Sequence, residues 1–407
     1  MKFVCFRLFV FVVIAGSLVG AFSAVGFGSG SNHLEKLPVT VSSEMVTVES
    51  DSDRWQIQGT DARVEDYLGR KSIYLKEGNA FLKDVDFENG VIEVDMAVPD
   101  SREFIGVRFR VEEQKSYETI YFRPHRSGLE DAIQYMPAFN GSTTWQLYNG
   151  KGFNSAVEIP KEKWIHIRIE ISGLTGKLYF NNGAEPALII DDLKRGYSHG
   201  TLGLWGSLSG GHFSNFSYKI DPAASRPERK QTPIPAGILT RWELSDAFDV
   251  DKEGTEMLPA QSEMQAMKWQ PVSVETPGMV VIDRYRATSN TVQAFEHPSD
   301  RIGKRPGRKG VFARTVIYSD SDQVKRMSVG YSDEATIFLN GKPVFTGKSA
   351  FRFRDPGFLG IMDVENDAVY LNLKKGRNEI VLGVADYFGG WGFICRIDDP
   401  AGIKIEN

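Results

Sequence analysis

The chain has 407 residues, 41% hydrophobic and 25% charged, and its 48 basic against 53 acidic residues give a formal net charge of −5. That length holds about two to three domains of ordinary size, and the acid excess excludes nucleic acid as the expected partner, because phosphate neutralisation needs a basic face. The two cysteines, Cys5 and Cys395, leave no disulfide framework, so stability has to come from apolar cores.

Residues 1–24 read as an export signal peptide. Lys2 and Arg7 precede Leu8–Gly28, which carries no charge, and Val19-Gly20-Ala21 or Ala21-Phe22-Ser23 offers a cleavage point. The alternative is an uncleaved anchor, since about 20 apolar residues can span a bilayer. No cysteine follows the run, which argues against a lipid anchor. The expected location is secreted or periplasmic, with no membrane span in the mature chain once the signal is cleaved. Cleavage leaves only Cys395, in the apolar run Trp391–Ile397, where it reads as a small buried hydrophobe.

From 40 to 220 the pattern is that of strands. Val91–Val98 alternates apolar and acidic residues, Ile105–Val111 alternates apolar and basic ones, and Trp164–Ile171 alternates most cleanly. Successive strand residues point to opposite sides, so each run sorts its side chains onto two faces. Glu88-Asn89-Gly90, Pro99-Asp100, Ser172-Gly173 and Asn181-Asn182-Gly183 punctuate the runs, and Asn182-Gly183 is expected at the centre of a hairpin turn. Many short strands with such turns indicate a β-sandwich.

Residues 221–237, with Pro222, Pro227, Pro233 and Pro235, read as a semi-rigid linker between independently folding units. Residues 238–407 are strand-rich again. The best runs are Gly310–Tyr318, Arg326–Tyr331, Ala335–Leu339 and Glu379–Val384; Asn340-Gly341 is expected at a hairpin tip, and a short helix around Glu263–Lys268. Arg301–Lys309 is a basic Gly/Pro loop that reads as solvated. The expected fold class is therefore all-β: two β-sandwich, jelly-roll domains after an N-terminal signal peptide.

The pieces Phe87–Glu93, Gly106–Arg110, Tyr121–His125, Trp164–Glu170, Gly200–Trp205 and Phe213–Phe216 resemble, in order and spacing, the laminin-G / concanavalin A-like jelly rolls. More narrowly they resemble the 3-keto-disaccharide hydrolase-like domains of bacterial secreted proteins. Gly330–Pro343 and Leu373–Ile380 resemble a galactose-binding-like β-sandwich of the kind that accompanies glycoside hydrolases. These resemblances imply folds and a carbohydrate context; they bring no catalytic motif that maps onto this chain.

The densest chemistry lies in Tyr121–Gly152. If Val107, Phe109 and Phe122 face the core, then Arg108, Arg110, Tyr121 and Arg123 share the opposite face, and Gln134, His125 and Trp145 can join it. Planar polar groups take sugar hydroxyls in forked hydrogen bonds, and aromatic rings stack on the apolar side of the sugar. The competing reading is structural, with Arg123 paired to Asp131 and holding a turn while Trp145 is core. His125 is the single catalytic candidate, since imidazole titrates near neutral pH. Its neighbourhood in sequence suggests no metal, and no cofactor is expected. The family-16 glucanases place carboxylates as E-x-D-x-x-E; Glu93 and Asp95 alternate correctly, but Val98 stands at the third position. The aromatic loop Tyr387–Phe393 reads as sugar-stacking or, with Trp391, as a core plug. The expectation is a secreted carbohydrate-binding protein. Its alternatives are a glycoside-processing hydrolase or lyase, with His125 and an acid as the working groups, and an adhesive surface protein.

Overall fold

A computed structural model describes residues 44–405, apart from 225, 227, 230–231 and 288–306. The expected signal at 1–24 and most of the basic Arg301–Lys309 loop lie outside the described residues. Among the described residues no helix is long and apolar enough to cross a membrane.

The architecture is all-β, in two sandwiches. In the first, one layer runs β12 (Leu188–Ile190), β11 (Thr175–Phe180), β10 (Trp164–Ser172), β4 (Gly90–Ala97), β14 (Gly211–Ile220), with β1 (Val46–Val48) also on β14. The facing layer runs β2 (Trp55–Tyr67), β3 (Arg70–Leu82), β13 (Thr201–Gly206), β5 (Ile105–Glu112), β6 (Ser116–Phe122), β7 (Ile133–Phe139), and ends in the short β8 (Ser142–Thr143) and β9 (Asn154–Ser155). Phe213 of β14 pairs with Ile73 of β3, so the two layers are one curled antiparallel sheet.

Alternation decides which side of each layer meets the core. On β10, Ile165, Ile167, Ile169 and Ile171 are buried, while His166, Arg168 and Glu170 point outward. On the facing layer, Leu204, Val107, Ile120 and Tyr135 lie in register across β13, β5, β6 and β7 and enter the same core. Each such apolar side chain contributes about 1.5–3 kcal/mol by leaving water.

The second sandwich has one sheet ordered β17 (Gln270–Val272), β15 (Trp242–Leu244), β19 (Lys309–Ser319), β24 (Gly376–Ala385), β21 (Glu334–Leu339), β22 (Lys342–Lys348), with β16 (Phe248–Asp249) and β26 (Ile403–Ile405) on β19. Its other sheet is β18 (Val280–Val281), β25 (Gly392–Ile397), β20 (Gln323–Ser332), β23 (Asp367–Leu373). Trp391 is fully buried in the core between them, beside Tyr331, Phe393 and Cys395. Trp391 is therefore a core plug, and burial pushes the Cys395 thiol well above its usual range. Asn340-Gly341 makes the expected two-residue hairpin, with both φ positive and Leu339 opposite Lys342. The other turn shifts by one residue: Asn181 and Asn182 take the positive φ values, and Gly183 N–H closes the turn on Phe180 O. The short helix spans Gln261–Ala266.

A seam joins the sandwiches. Phe139, Leu147 and Tyr148 of the first pack with Met279 and Val281 of the second. Polar contacts frame this apolar patch. Asn140 Nδ2 donates to Asp283 O at 2.7 Å, Gln146 Nε2 to Leu359 O at 2.7 Å, and Arg284 Nη2 to Lys194 O at 2.7 Å. The Gln146 backbone is bound on both sides, its N–H to Gly389 O and its O from Met362 N–H. Residues Val39–Asn407, linker included, belong to one compact unit.

Candidate functional site

The outer side of β13, β5, β6 and β7 carries the side chains that alternate with the core set. Trp205 lies opposite Gly106, Gly106 opposite Tyr121, and Tyr121 opposite Gln134. The adjacent row is Gly203, Arg108, Thr119 and Met136. Gly106 matters here because a Cβ would fall 2.6 Å from Ile120 O and 2.8 Å from Tyr121 Cβ. Its bare backbone lets the rings of Trp205 and Tyr121 meet edge to face at 6.0 Å.

Arg108 sits where alternation puts it. Its guanidinium lies over the Tyr117 ring at 4.2 Å and the Trp205 ring at 5.1 Å, and Nη1 donates to Asn79 Oδ1. Nε has no hydrogen-bond partner, and neither has the buried Thr119 Oγ1 across the strand. Burial pulls the Arg108 pKa below its ordinary value.

Arg110 does not join this face. It takes a positive φ of 51°, and the register of β5 against β6 shifts between Phe109 and Glu112. This bulge breaks the period of two. The fully buried Arg110 instead donates to Glu88 O at 2.8 Å, Gly196 O at 2.7 Å and Gly173 O at 2.7 Å, with the buried Glu118 at 3.8 Å. Val111, displaced to the outer side, packs with Phe81, Tyr117 and Ala138.

Tyr121, Arg123 and Gln134 share the outer face as expected, but they are closed off, which corrects the expectation of an open cationic floor there. All three are buried. Arg123 Nη2 donates to Tyr121 Oη and Gln134 Oε1, and Tyr121 Oη donates to Gln134 Oε1 at 2.7 Å. Gln134 Nε2 then donates to Trp145 O at 2.9 Å and Tyr148 O at 2.8 Å. The triad thus fixes the turn that folds back over β7. Arg123 also donates to Asp131 O at 2.6 Å and lies 3.8 Å from its carboxylate, which is the structural role weighed for it. Burial pushes the Tyr121 phenol up to about 12.

His125 lies in a short 3₁₀ turn, Pro124–Arg126, half-buried. Its Nδ1 is 3.1 Å from Glu103 O, and the Phe104 ring meets it edge-on at 5.1 Å. Burial, then the charges of Arg102 and Arg123, depress its pKa to about 4. The ring is neutral at pH 7 and is a weak base. Its neighbour Glu103 directs its carboxylate to the backbone N–H groups of Ser207, Ser209 and Gly210.

Trp145 is half-buried and part of a trio that spans the seam. Its ring meets Phe351 at 6.0 Å and Phe388 at 5.8 Å, and those two meet at 6.0 Å, all edge to face. Asp333 Oδ2 accepts the N–H of Tyr387 and, at 2.5 Å, of Phe388, which holds the aromatic loop in place. Arg352 lies over Phe351 at 5.1 Å, and Arg102 over Phe104 at 5.7 Å. Burial, and then the charge of Arg352, lower the Arg102 pKa.

The sequence pattern did not single out Asn79, Arg102, Phe104, Trp205, Phe351 or Arg352 for the site, whereas Phe388 belongs to the aromatic loop already read as sugar-stacking. Trp205 was legible in the alternation of Thr201–Trp205, and Asn79 stands on β3; Arg102 and Phe104 stand in a loop with no period. Glu93 and Asp95 lie on the other layer, where Asp95 is held by Arg70, His166 and Asn215, and Glu93 is 3.6 Å from Arg168. His212 pairs with Glu65 at 2.9 Å and His199 with Asp86 at 2.6 Å. Among the described residues, no group of three or more His, Cys, Asp or Glu is placed to hold a metal ion.

No protein-family model and no curated protein matches the chain. Solved structures do. A carbohydrate-binding module from Bacillus subtilis is 17% identical, over 41% of this chain and 95% of its own, with a TM-score of 0.33. A Bacillus subtilis protein of unknown function with a galectin-like fold is 10% identical, over 47% and 99%, with a TM-score of 0.33. A β-1,3-1,4-glucanase (lichenase) from a mouse hindgut metagenome is 10% identical, over 44% and 99%, with a TM-score of 0.33.

Proposed function

We propose that this is an exported carbohydrate-binding protein that takes its glycan on the outer face of β13, β5 and β6. The observation that carries the reading is Arg108. Its guanidinium is clamped between two aromatic rings, donates one hydrogen bond within the chain, and keeps Nε unpaired. A planar donor beside an indole edge suits a sugar, which offers hydroxyls in its plane and C–H groups on its face. The half-buried Trp205 supplies the ring.

Binding is preferred over hydrolysis on chemical grounds. A glycosidase needs two carboxyl groups about 5–9.5 Å apart, and the two rows from β13 through β7 contain none. His125 is neutral and faces a carbonyl. The part taken by the second sandwich, read as galactose-binding-like, is to supply the rim residues Phe351, Arg352 and Phe388.

A glycan-array screen of the mature chain tests the reading. Binding that is lost in Arg108→Gln and in Trp205→Ala, with the fold intact, is the expected result. Hits that survive both changes place the site elsewhere. Mass spectrometry of the chain's N-terminus tests export, with a start near Ala21–Ala24 expected and an intact Met1 in a membrane fraction opposing it.

A further inference from the structure

This inference deepens the carbohydrate reading and rests on it. Most arginines among the described residues reach a carboxylate; Arg123 and Arg110 do so at 3.8 Å, and Arg284 and Arg354 more closely. Arg102, Arg108 and Arg352 form no such pair. The chain has more acids than bases, 53 against 48, so acids to pair with were not scarce. These three are also not scattered. Arg108 touches Trp205 at 5.1 Å, Trp205 touches Tyr121 at 6.0 Å, Tyr121 touches Phe104 at 6.3 Å, and Arg102 covers Phe104 at 5.7 Å. On the second sandwich Arg352 covers Phe351 at 5.1 Å, and Phe351 meets the ring of Trp145, whose carbonyl accepts from Gln134 beside Tyr121.

A cation removed from water without a counter-ion is costly; among the three this holds for Arg108, since Arg102 is exposed and Arg352 half-buried. Arg108 is only 8% exposed; its Nε has no partner, and neither has Oγ1 of Thr119, the residue opposite it on β6. An anion on this path would relieve that cost and give Arg102 and Arg352 a partner as well. Guanidinium forks match the planar oxygens of a carboxylate and the oxygens of a sulfate in paired hydrogen bonds, and the intervening rings stack on sugar. We propose that the glycan is anionic: a polysaccharide whose sugars carry carboxylate or sulfate groups, read by Arg108 on the floor and by Arg102 with Arg352 at the rim.

The experiment uses the full mature chain and two matched pairs. Polygalacturonate is compared with its fully methyl-esterified form, and dextran sulfate with dextran, by calorimetry at fixed ionic strength. The expected result is binding to at least one charged member and at least about ten-fold weaker binding to its neutral partner; the pair that responds identifies carboxylate or sulfate. Arg108→Gln and the double variant Arg102→Gln/Arg352→Gln are each expected to lose about ten-fold in affinity and to flatten its salt dependence. The double variant alters no hydrogen-bonded side chain and keeps the test open if Arg108→Gln folds poorly. Lys375→Gln/Arg377→Gln, at the loop and start of β24, controls for indiscriminate charge and is expected to bind as wild type. Equal affinity for charged and neutral members overturns the anionic proposal and leaves the carbohydrate reading standing. Charged-glycan binding untouched by the Arg variants, or lost equally in the loop control, overturns the placement. Failure to bind any glycan, here and on the array, overturns the carbohydrate reading itself.

Discussion

The hydroxyl of Tyr148, on the first sandwich, donates to Glu275 of the second at 3.0 Å, and Arg284 closes on the same carboxylate. Tyr148 is almost fully buried, and burial with the neighbouring Glu275 charge pushes its phenol well above the usual range. Lys194 Nζ lies 5.4 Å from the Tyr148 ring centroid and 3.9 Å from Glu275. Glu275→Ala removes the acceptor and leaves two cations and a hydroxyl facing each other, so a loss of about 2–4 kcal/mol is expected, against about 1 kcal/mol for Tyr148→Phe. Urea denaturation measures both. Equal midpoints for the two variants would show that Glu275 is not the centre of the seam.

The linker and the seam make different demands. Protease is expected to cut within 221–237, where most described residues are exposed, while the nicked halves stay together through Phe139, Leu147, Tyr148, Met279 and Val281. Trp145→Ala also removes the ring that packs on Phe351 and Phe388, at a cost of about 2 kcal/mol for a half-buried aromatic. Gel filtration of nicked chains is expected to show one species for wild type and partial separation for the variant. Separation of wild-type halves would mean that the seam is too weak to hold them.

Two arginines two residues apart are expected to fail differently. Arg110→Met strips three backbone carbonyls and Glu118 of a buried donor, and a loss of about 3–5 kcal/mol is expected. Arg108→Gln removes one hydrogen bond within the chain and is expected to cost about 1 kcal/mol. Thermal melts compare them. A larger loss for Arg108→Gln would contradict the assignment of Arg108 to binding and Arg110 to the fold.

His125 sets a pH dependence whose sign is fixed. Its folded pKa of about 4 lies below the ordinary value of 6.5. Between those values the unfolded chain binds the proton more readily, so this contribution to stability is present above 6.5 and is lost as pH falls toward 4. His125→Gln lacks that loss. The stability of the variant relative to wild type is expected to rise by roughly 1–3 kcal/mol from pH 7 to pH 4, after allowance for partial exposure. Glu118, Asp283 and Asp333, whose pKa values burial raises, act with the opposite sign in both proteins and cancel in the difference. A constant difference across that range would mean that His125 is not desolvated.

The strands at Val91–Val98, Ile105–Val111 and Trp164–Ile171 were legible because alternation is a local property; β4 and β10 follow it, and β5 follows it as far as Phe109. The face of Arg108 and Tyr121 was legible for the same reason. Arg110 was not, because one bulge with a positive φ reverses everything beyond it and leaves no mark in the hydrophobic pattern. The closure of Arg123 and Gln134 was not legible either: their partners include backbone carbonyls of the Thr144–Tyr148 turn, whose position depends on tertiary packing. Ala350–Arg354 alternates like a strand yet forms a turn beside Trp145, so its role as rim could come only from three-dimensional contact.

The floor of the candidate face and its rim come from segments far apart in the chain. Arg108, Thr119 and Trp205 are held by the ladder of β13, β5 and β6, whereas Phe351 and Phe388 stand on loops of the second sandwich, the latter hung from Asp333. Substitution in those loops can therefore diverge without disturbing the strands beneath. On the proposed carbohydrate reading, homologous chains that keep the floor and vary the loops would share an anchoring sugar and differ in the residues they accept on either side of it, so that selection could retarget the molecule by changing the lip alone.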